Sequence, residues 1–351
     1  MRVRPEREHR PDPTLIEYNT PVIEMNVSAD AAGQRLDKFL RRALKDVPLS
    51  HIFKLLRTRK VRVNGARGHG EQILAQGDAV VVRGDEEQLL ASRSGDAGRA
   101  PPGGVKVTFQ ILFEDEHLLA VNKPSGLAAH PGTGITGATL VEEARAYLRV
   151  PANLPTTEFK PSPAHRLDRE TSGVVLVAKT RKCMARLTEI FTSGEGVRKS
   201  YLALAKGKMP RAEGTVELAL SEHEQTARSK SQRGVNFQEA TTHYRVVSSM
   251  REASLLQLRI ETGRTHQIRR HLQAIGHPVA GDARYGDFPF NRAAKTRWGL
   301  RRMFLHSWKL ELPHPMASHT LRVEAPVPEE LLAVLGSMNL AGPPGAGGRT
   351  R

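Results

Sequence analysis

His165-Arg166-Leu167-Asp168-Arg169-Glu170-Thr171-Ser172-Gly173 runs straight into Val174-Val175-Leu176-Val177-Ala178. The second run is short, apolar and rich in β-branched valine, so it reads as a buried strand. The first is a polar loop feeding that strand, with a carboxylate placed between Arg166 and Arg169. Cationic neighbours favour an ionised Asp168, which suits a nucleophile or a base better than a proton donor. Ordinary turn chemistry, with Asp168 bonded to its own backbone, is the alternative that spacing alone leaves open.

Strands and helices alternate on both sides of this loop, from Val105 to about Ser337. Upstream, Ile111-Leu112-Phe113 and Leu118-Leu119-Ala120-Val121 have the form of buried strands, and Asn122-Lys123-Pro124-Ser125-Gly126 turns out of the second. Thr139 to Leu148 is helical, and so is Arg181 to Phe191. The latter gathers Cys183, Met184, Leu187, Ile190 and Phe191 on one face, which makes Cys183 a core residue rather than a nucleophile. Downstream, the strand Leu255–Ile260 leads into Glu261-Thr262-Gly263-Arg264-Thr265-His266-Gln267-Ile268-Arg269-Arg270-His271-Leu272. Gly263 permits a tight turn, and Arg264 follows the strand toward the cleft of Asp168. Ile268 and Leu272, four apart, predict a helix with its basic face outward.

The whole chain has 351 residues, a formal charge of +16, 39% hydrophobic and 26% charged residues, a folded protein's composition. It has no apolar run near the ~18 residues of a membrane span. Its arginine- and proline-rich start lacks a secretory stretch, so the expected compartment is the cytoplasm, with no membrane partner. One cysteine excludes an intrachain disulfide and a Cys-rich zinc site. His165, His266 and His271 beside Asp168 could suggest a metal, but His266 and His271 are five apart and do not share a helix face. Gly132-x-Gly134 lacks the features of a phosphate loop. The expectation is therefore no metal and no cofactor.

Half of the excess charge is concentrated. Residues 34–63 carry ten Lys/Arg against two Asp, a net of +8. Leu36, Phe39, Leu40 and Ala43/Leu44 mark one helix after the strand Val22–Val27. Pro48 ends it, and Ser50 is expected to cap a second helix containing Ile52, Phe53, Lys54, Leu55, Leu56 and Arg57. The strand Val61-Arg62-Val63 then enters an Asn64-Gly65 turn, and Ala79–Val82 closes the unit. Such an imbalance points to a nucleic-acid backbone more than to solubility.

That order of basic helices and hairpin resembles the S4-like RNA-binding domain. His165-Arg166-Leu167-Asp168-x-x-Thr171-Ser172-Gly173 resembles the signature of the RluA-type pseudouridine synthases. Val121–Leu127, Lys199-Ser200-Tyr201, Gly263–Arg269, Gly276-His277-Pro278, Gly281-Asp282-x-Arg284-Tyr285-Gly286 and Leu305-His306 agree in order. The resemblance implies an α+β protein: a disordered leader at 1–20, an S4-like domain at 21–84, a linker at 85–104, a mixed-sheet catalytic domain at 105–338 and a disordered tail at 339–351. It implies a cofactor-independent isomerase that flips a uridine of RNA out of its stack and turns it into its C5-glycoside isomer. Asp168 would be the catalytic carboxylate, Arg264 its ion-pair partner, and Tyr201 both the aromatic face for the uracil and a phenol near C5 for the last proton transfer. Arg166 would fill the vacated space, and His165 would bind substrate or simply order the loop. Arg35, Lys38, Lys54, Arg57 and Arg62 would contact phosphates. The implied partner is 23S ribosomal RNA or the pre-ribosomal large subunit, met by a monomer. The alternatives are a tRNA substrate, a non-catalytic ribosome-assembly factor on the same fold, and a glycoside hydrolase using paired carboxylates, for which Asp168 with Glu170 is a weak pair.

Overall fold

A computed structural model of the protein describes residues 22–44, 47–83, 104–132, 135, 137–151, 154–155, 157–221 and 237–344. The expected leader, nearly all of the linker and residues 345–351 of the tail lie outside the described residues. The chain divides into two units between residues 100 and 101, with the short stretch at 153–158 grouping with the first.

The first unit contains β1 (Val22–Asn26), α1 (Leu36–Ala43), α2 (Leu49–Arg57), β2 (Val61–Val63), β3 (Ala66–Arg67) and β4 (Ala79–Arg83). Its strands form an antiparallel sheet in the order β1-β4-β2-β3. Leu36, Phe39 and Leu40 of α1 join Ile52, Leu55 and Leu56 of α2 over Val61, Val63, Val80 and Val82, a single small core. Asn64 and Gly65 both take positive φ, 51° and 77°, as a two-residue hairpin turn requires. Ser50 does not cap α2. The helix begins two residues earlier than that cap implies, at Leu49, with Pro48 at the cap, where a residue without an N–H loses nothing.

The second unit is built on one mixed sheet. In chain order it contains β5 (Gln110–Glu114), β6 (Leu118–Lys123), α3 (Leu140–Tyr147), β7 (Ser162–Pro163), β8 (Ser172–Ala178), α4 (Arg181–Ser193), β9 (Arg198–Lys206), β10 (Glu213–Glu217), β11 (Leu220–Ser221), β12 (Phe237–Gln238), β13 (Thr241–Ser249), β14 (Ala253–Ile260), α5 (Gln267–Ala274), α6 (Phe288–Trp298), β15 (Leu305–Pro313), β16 (Thr320–Glu324) and α7 (Glu329–Ser337). The sheet order is β10-β13-β14-β9-β15-β8-β6-β5, with β16 added to β15 and β7 to β8. Among the described residues, only β15 and β8 pair in parallel.

Both faces of this sheet are covered, so a central strand such as β8 is buried along its whole length rather than on alternate residues. On one face Val175 and Val177 pack with Tyr201, Leu256, Leu258, Ile268 and Leu272. On the other, Val174 and Leu176 meet Cys183 and Leu187 of α4, while Leu202 and Leu204 meet Trp298 and Leu335. Cys183 is wholly buried, and that burial pushes its thiol up to about 12, consistent with a core role.

Two expectations are corrected here. Ile111-Leu112-Phe113 is an edge strand rather than a buried one, and Ile111 is 40% exposed. The ordered fold also continues past residue 338: Leu340 is buried beside Trp298, and Ser248 Oγ donates to the Ala341 carbonyl at 2.7 Å.

Candidate active site

Asp168 occupies the loop between β7 and β8, where the Thr171 N–H donates to its carbonyl at 3.1 Å and closes a turn. The strand then passes against β15 so closely that a Cβ on Gly173, whose φ is +116°, would lie 2.1 Å from the Ser307 carbonyl oxygen. Only glycine fits there. Behind the loop, Lys123 at the end of β6 is fully buried. Its Nζ donates to the carbonyls of Pro124 (2.9 Å), Leu127 (2.8 Å) and Arg169 (3.0 Å), tying the 124–127 turn to the loop that carries Asp168. Burial pushes Lys123 down to about 7, while the three carbonyl acceptors supply the coordination that an ammonium needs.

The side-chain partner of Asp168 comes from α5. Arg269 Nη1 donates to Asp168 Oδ2 at 2.9 Å. The same guanidinium is gripped by Asp282, with Nε to Oδ2 at 2.7 Å and Nη2 to Oδ1 at 3.0 Å. Asp282 is itself fully buried, and its Oδ1 also accepts the N–H groups of Arg284 (2.8 Å) and Tyr285 (3.0 Å). Asn291 of α6 fixes this loop in turn, donating to the Asp282 carbonyl at 2.9 Å and accepting the Gly281 N–H at 2.8 Å. Burial alone would lower Arg269, but its bonds to Asp282 and Asp168 outweigh that and raise it, so it stays a cation. Its guanidinium lies 5.0 Å from the centre of the Tyr285 ring.

Two further groups face the same carboxylate. His266, in a left-handed conformation at φ 54°, caps α5. Its Nε2 stands 3.7 Å from Asp168 Oδ1, and its Nδ1 is hydrogen-bonded to the Tyr285 hydroxyl at 3.0 Å. Tyr201 on β9 lies beside Ser307 of β15. Burial drives its phenol up to about 12, against the opposing pull of a hydrogen bond with Ser307, so the ring is neutral at physiological pH. A cavity of about 70 Å³ is lined by Arg166, Asp168, Tyr201, Arg264, His266 and Arg269, among others.

The structure thus brings Asp168, Tyr201, Arg264 and Arg166 to one cavity, with Arg166 exposed at its rim. It corrects the pairing of Asp168, whose guanidinium partner is Arg269; Arg264 instead points its Nε toward the Glu239 carbonyl at 3.5 Å. The helix's basic face is not wholly outward either, since Arg269 and His271 are buried. His165 does not line the cavity. Its Nε2 accepts the Leu176 N–H at 3.1 Å, its ring packs edge-on to Phe191, and burial pushes it down to about 3, so it is a neutral loop-ordering residue. In the first unit Lys38, Lys54, Arg57 and Arg62 are exposed. Arg35 is partly spent on Asp37 (3.1 Å) and Glu71 (3.5 Å).

Residue-level reading missed Arg269, Asp282, His266 and Lys123 as site residues. The available signal was the position of Arg269, next to Ile268 and three before Leu272 on the inward side of the helix, which no solvent-facing arginine needs.

Residues 117–274 match the family of RNA pseudouridylate synthases. The chain is 37% identical over 326 residues to the ribosomal large subunit pseudouridine synthase C of Vibrio vulnificus, covering 92% of this chain and 98% of that one. It is 39% identical over 332 residues to the enzyme of the same name from Escherichia coli, again covering 92% and 98%. Among solved structures, human RNA pseudouridylate synthase domain containing 4 superposes with a TM-score of 0.54 at 27% identity, over 66% of this chain and 94% of that one.

Proposed function

The chain belongs to the RNA pseudouridylate synthase family, and we propose that it isomerises specific uridines of 23S ribosomal RNA, with Asp168 as the catalytic carboxylate. The observation that carries the reading is a carboxylate held by a buried arginine, beside a neutral tyrosine, in a cavity on an enzyme of this family. The substrate assignment rests on the names of the two bacterial relatives, which span nearly the whole chain.

The reaction needs no net redox change and no added group: the N1–C1′ bond breaks, the uracil turns, C5 bonds to C1′, and the C5 proton is replaced by one on N1. The target base lies within stacked RNA and is flipped into the cavity at a cost of a few kcal/mol. Arg166, at the rim, takes the space the base leaves. Asp168 then either attacks C1′ or removes the C2′ proton as uracil departs; both roles require an anionic oxygen there, and Arg269 holds it in place. Tyr201, neutral at rest, supplies an aromatic face for the uracil and a hydroxyl near C5 for the last proton transfer. Arg264 contacts the substrate's backbone.

The first unit serves as an S4-like RNA-binding module, its exposed Lys38, Lys54, Arg57 and Arg62 contacting phosphates together with Arg35. The enzyme works as a monomer in the cytoplasm, where its substrate is made; none of the helices among the described residues is long and apolar enough to cross a membrane.

The test combines two measurements. Pseudouridine mapping in a strain lacking the gene should show 23S positions that revert to uridine. Purified protein should release tritium from RNA labelled at uridine C5, and Asp168→Asn should abolish that release while RNA affinity stays nearly native. Turnover by Asp168→Asn would remove Asp168 from the mechanism, and unaltered 23S RNA would move the substrate to another RNA.

A further inference from the structure

Helix α2 (Leu49–Arg57) does more than carry positive charge. Its inward face supplies Ile52, Leu55 and Leu56 to the core, yet it also bears two large apolar side chains that no core residue covers: Leu49, 44% exposed, and Phe53, 50% exposed. They are four apart, and Arg57 is four further on, so the three form one line along the outer face. Ser50 and Lys54 form the exposed line beside it. The helix has no acidic residue. Arg59, Lys60, Arg62 and Arg67, which follow it, are exposed as well. The unit's other phenylalanine within a helix, Phe39, is fully buried, so an aromatic in this unit is not exposed by default.

We propose that Phe53, extended by Leu49, is a stacking platform for one unpaired base of the RNA, with Lys54 and Arg57 on the phosphates that flank it. This rests on the reading of the first unit as an RNA-binding module and names what that module recognises. A purely electrostatic face needs no apolar side chain and binds any duplex. The run of cations around the patch, with no acid on the helix, complements a polyanion. An aromatic ring bordered by cations is the arrangement that recognises single-stranded nucleic acid, because every base has a face to stack and a phosphate beside it. The module would therefore prefer RNA with an unpaired loop over a continuous duplex.

The test uses the full chain and two RNAs of equal length, a hairpin with an unpaired loop and a blunt duplex, titrated at several salt concentrations. Phe53→Ala should weaken hairpin binding by about 5- to 100-fold at every salt concentration, leaving duplex binding and the salt slope unchanged. The double variant Lys54→Gln/Arg57→Gln should flatten the salt slope for both RNAs. Phe53→Trp should retain affinity, and its fluorescence should be quenched by the hairpin but not the duplex. The protein's own Trp298 and Trp308 are buried and serve as the constant background. Native hairpin binding by Phe53→Ala, together with a flattened slope in the double variant, would overturn the stacking site while sparing the module. No effect of either variant would overturn both. A dimer in light scattering that Phe53→Ala dissolves would assign the patch to a second copy instead.

Discussion

Arg269 and Asp168 are 101 residues apart in the chain, and their side chains meet at 2.9 Å. Arg264, five residues earlier, lines the same cavity without pairing with the carboxylate. The two arginines should therefore fail differently. Arg269→Met leaves a partly buried carboxylate without its cation, and the single-turnover rate should fall by ~100-fold or more at saturating RNA. Arg264→Met should chiefly weaken RNA binding and reduce the salt slope by about 1. Single-turnover assays and salt titrations on both variants decide the matter; equal kinetic losses would contradict the division of roles.

Asp282 acts through Arg269. Three of the four hydrogen bonds that Asp282 accepts at its two oxygens would survive in Asp282→Asn, but the amide would face Arg269 Nε donor to donor. The guanidinium would then shift, and displacement of a catalytic geometry by ~1 Å costs ~100-fold. The expected outcome is a rate at saturating RNA lowered by about 10- to 100-fold, with RNA affinity native, measured at a temperature where circular dichroism shows the variant folded. A loss seen only in affinity would make Asp282 a fold residue alone.

Much of this architecture is legible in the chain because it is local. The apolar stripe of Leu36, Phe39 and Leu40, the Asn64-Gly65 turn and the apolar run Val174–Ala178 of β8 each express a period or a turn chemistry contained within ten residues. The Asp168 loop is legible for the same reason. Arg269 is different: an arginine on a helix reads as solvent-facing, and what draws it inward is Asp282, thirteen residues away and held by Asn291 of the next helix. Ile111 shows the converse, since nothing in a short apolar run reveals that its strand lies at the edge of the sheet.

Two histidines make the fold acid-sensitive. Burial pushes His165 down to about 3 and His306 down to about 4. His306 bridges Ser172 Oγ (2.9 Å) and the Ala325 carbonyl (3.2 Å), next to the loop of Asp168. In the unfolded chain both titrate near ~6.5, so below that value the unfolded state binds more protons than the folded one. Their contribution to stability is complete above pH ~6.5 and is lost as pH falls toward the folded values. Urea denaturation at pH 7.5, 5.5 and 4.5 should show the native protein losing more stability than His165→Gln/His306→Gln; parallel losses would refute the assignment.

Lys123 connects the fold to the chemistry. Replacing it by methionine conserves most of its volume and removes the donor shared by the Pro124, Leu127 and Arg169 carbonyls. Three acceptors losing a buried donor should cost about 2–4 kcal/mol, since buried polar groups left unpaired cost ~1–3 kcal/mol each and part of the loss is recovered by relaxation. The loop of Asp168 would loosen from the 124–127 turn, so the single-turnover rate should drop even where the variant is fully folded. The pH dependence gives an independent check. With Lys123 near 7 when folded and ~10.4 when unfolded, the unfolded chain binds the extra proton between those values. This lysine's contribution therefore improves as pH rises from 7 toward 10, and the deficit of Lys123→Met should widen over that range. Urea denaturation at pH 6.5, 8 and 9.5 measures it. A deficit that is constant with pH would show that Lys123 does not titrate in this window, and a folded variant turning over at the native rate would show that it does not hold the Asp168 loop.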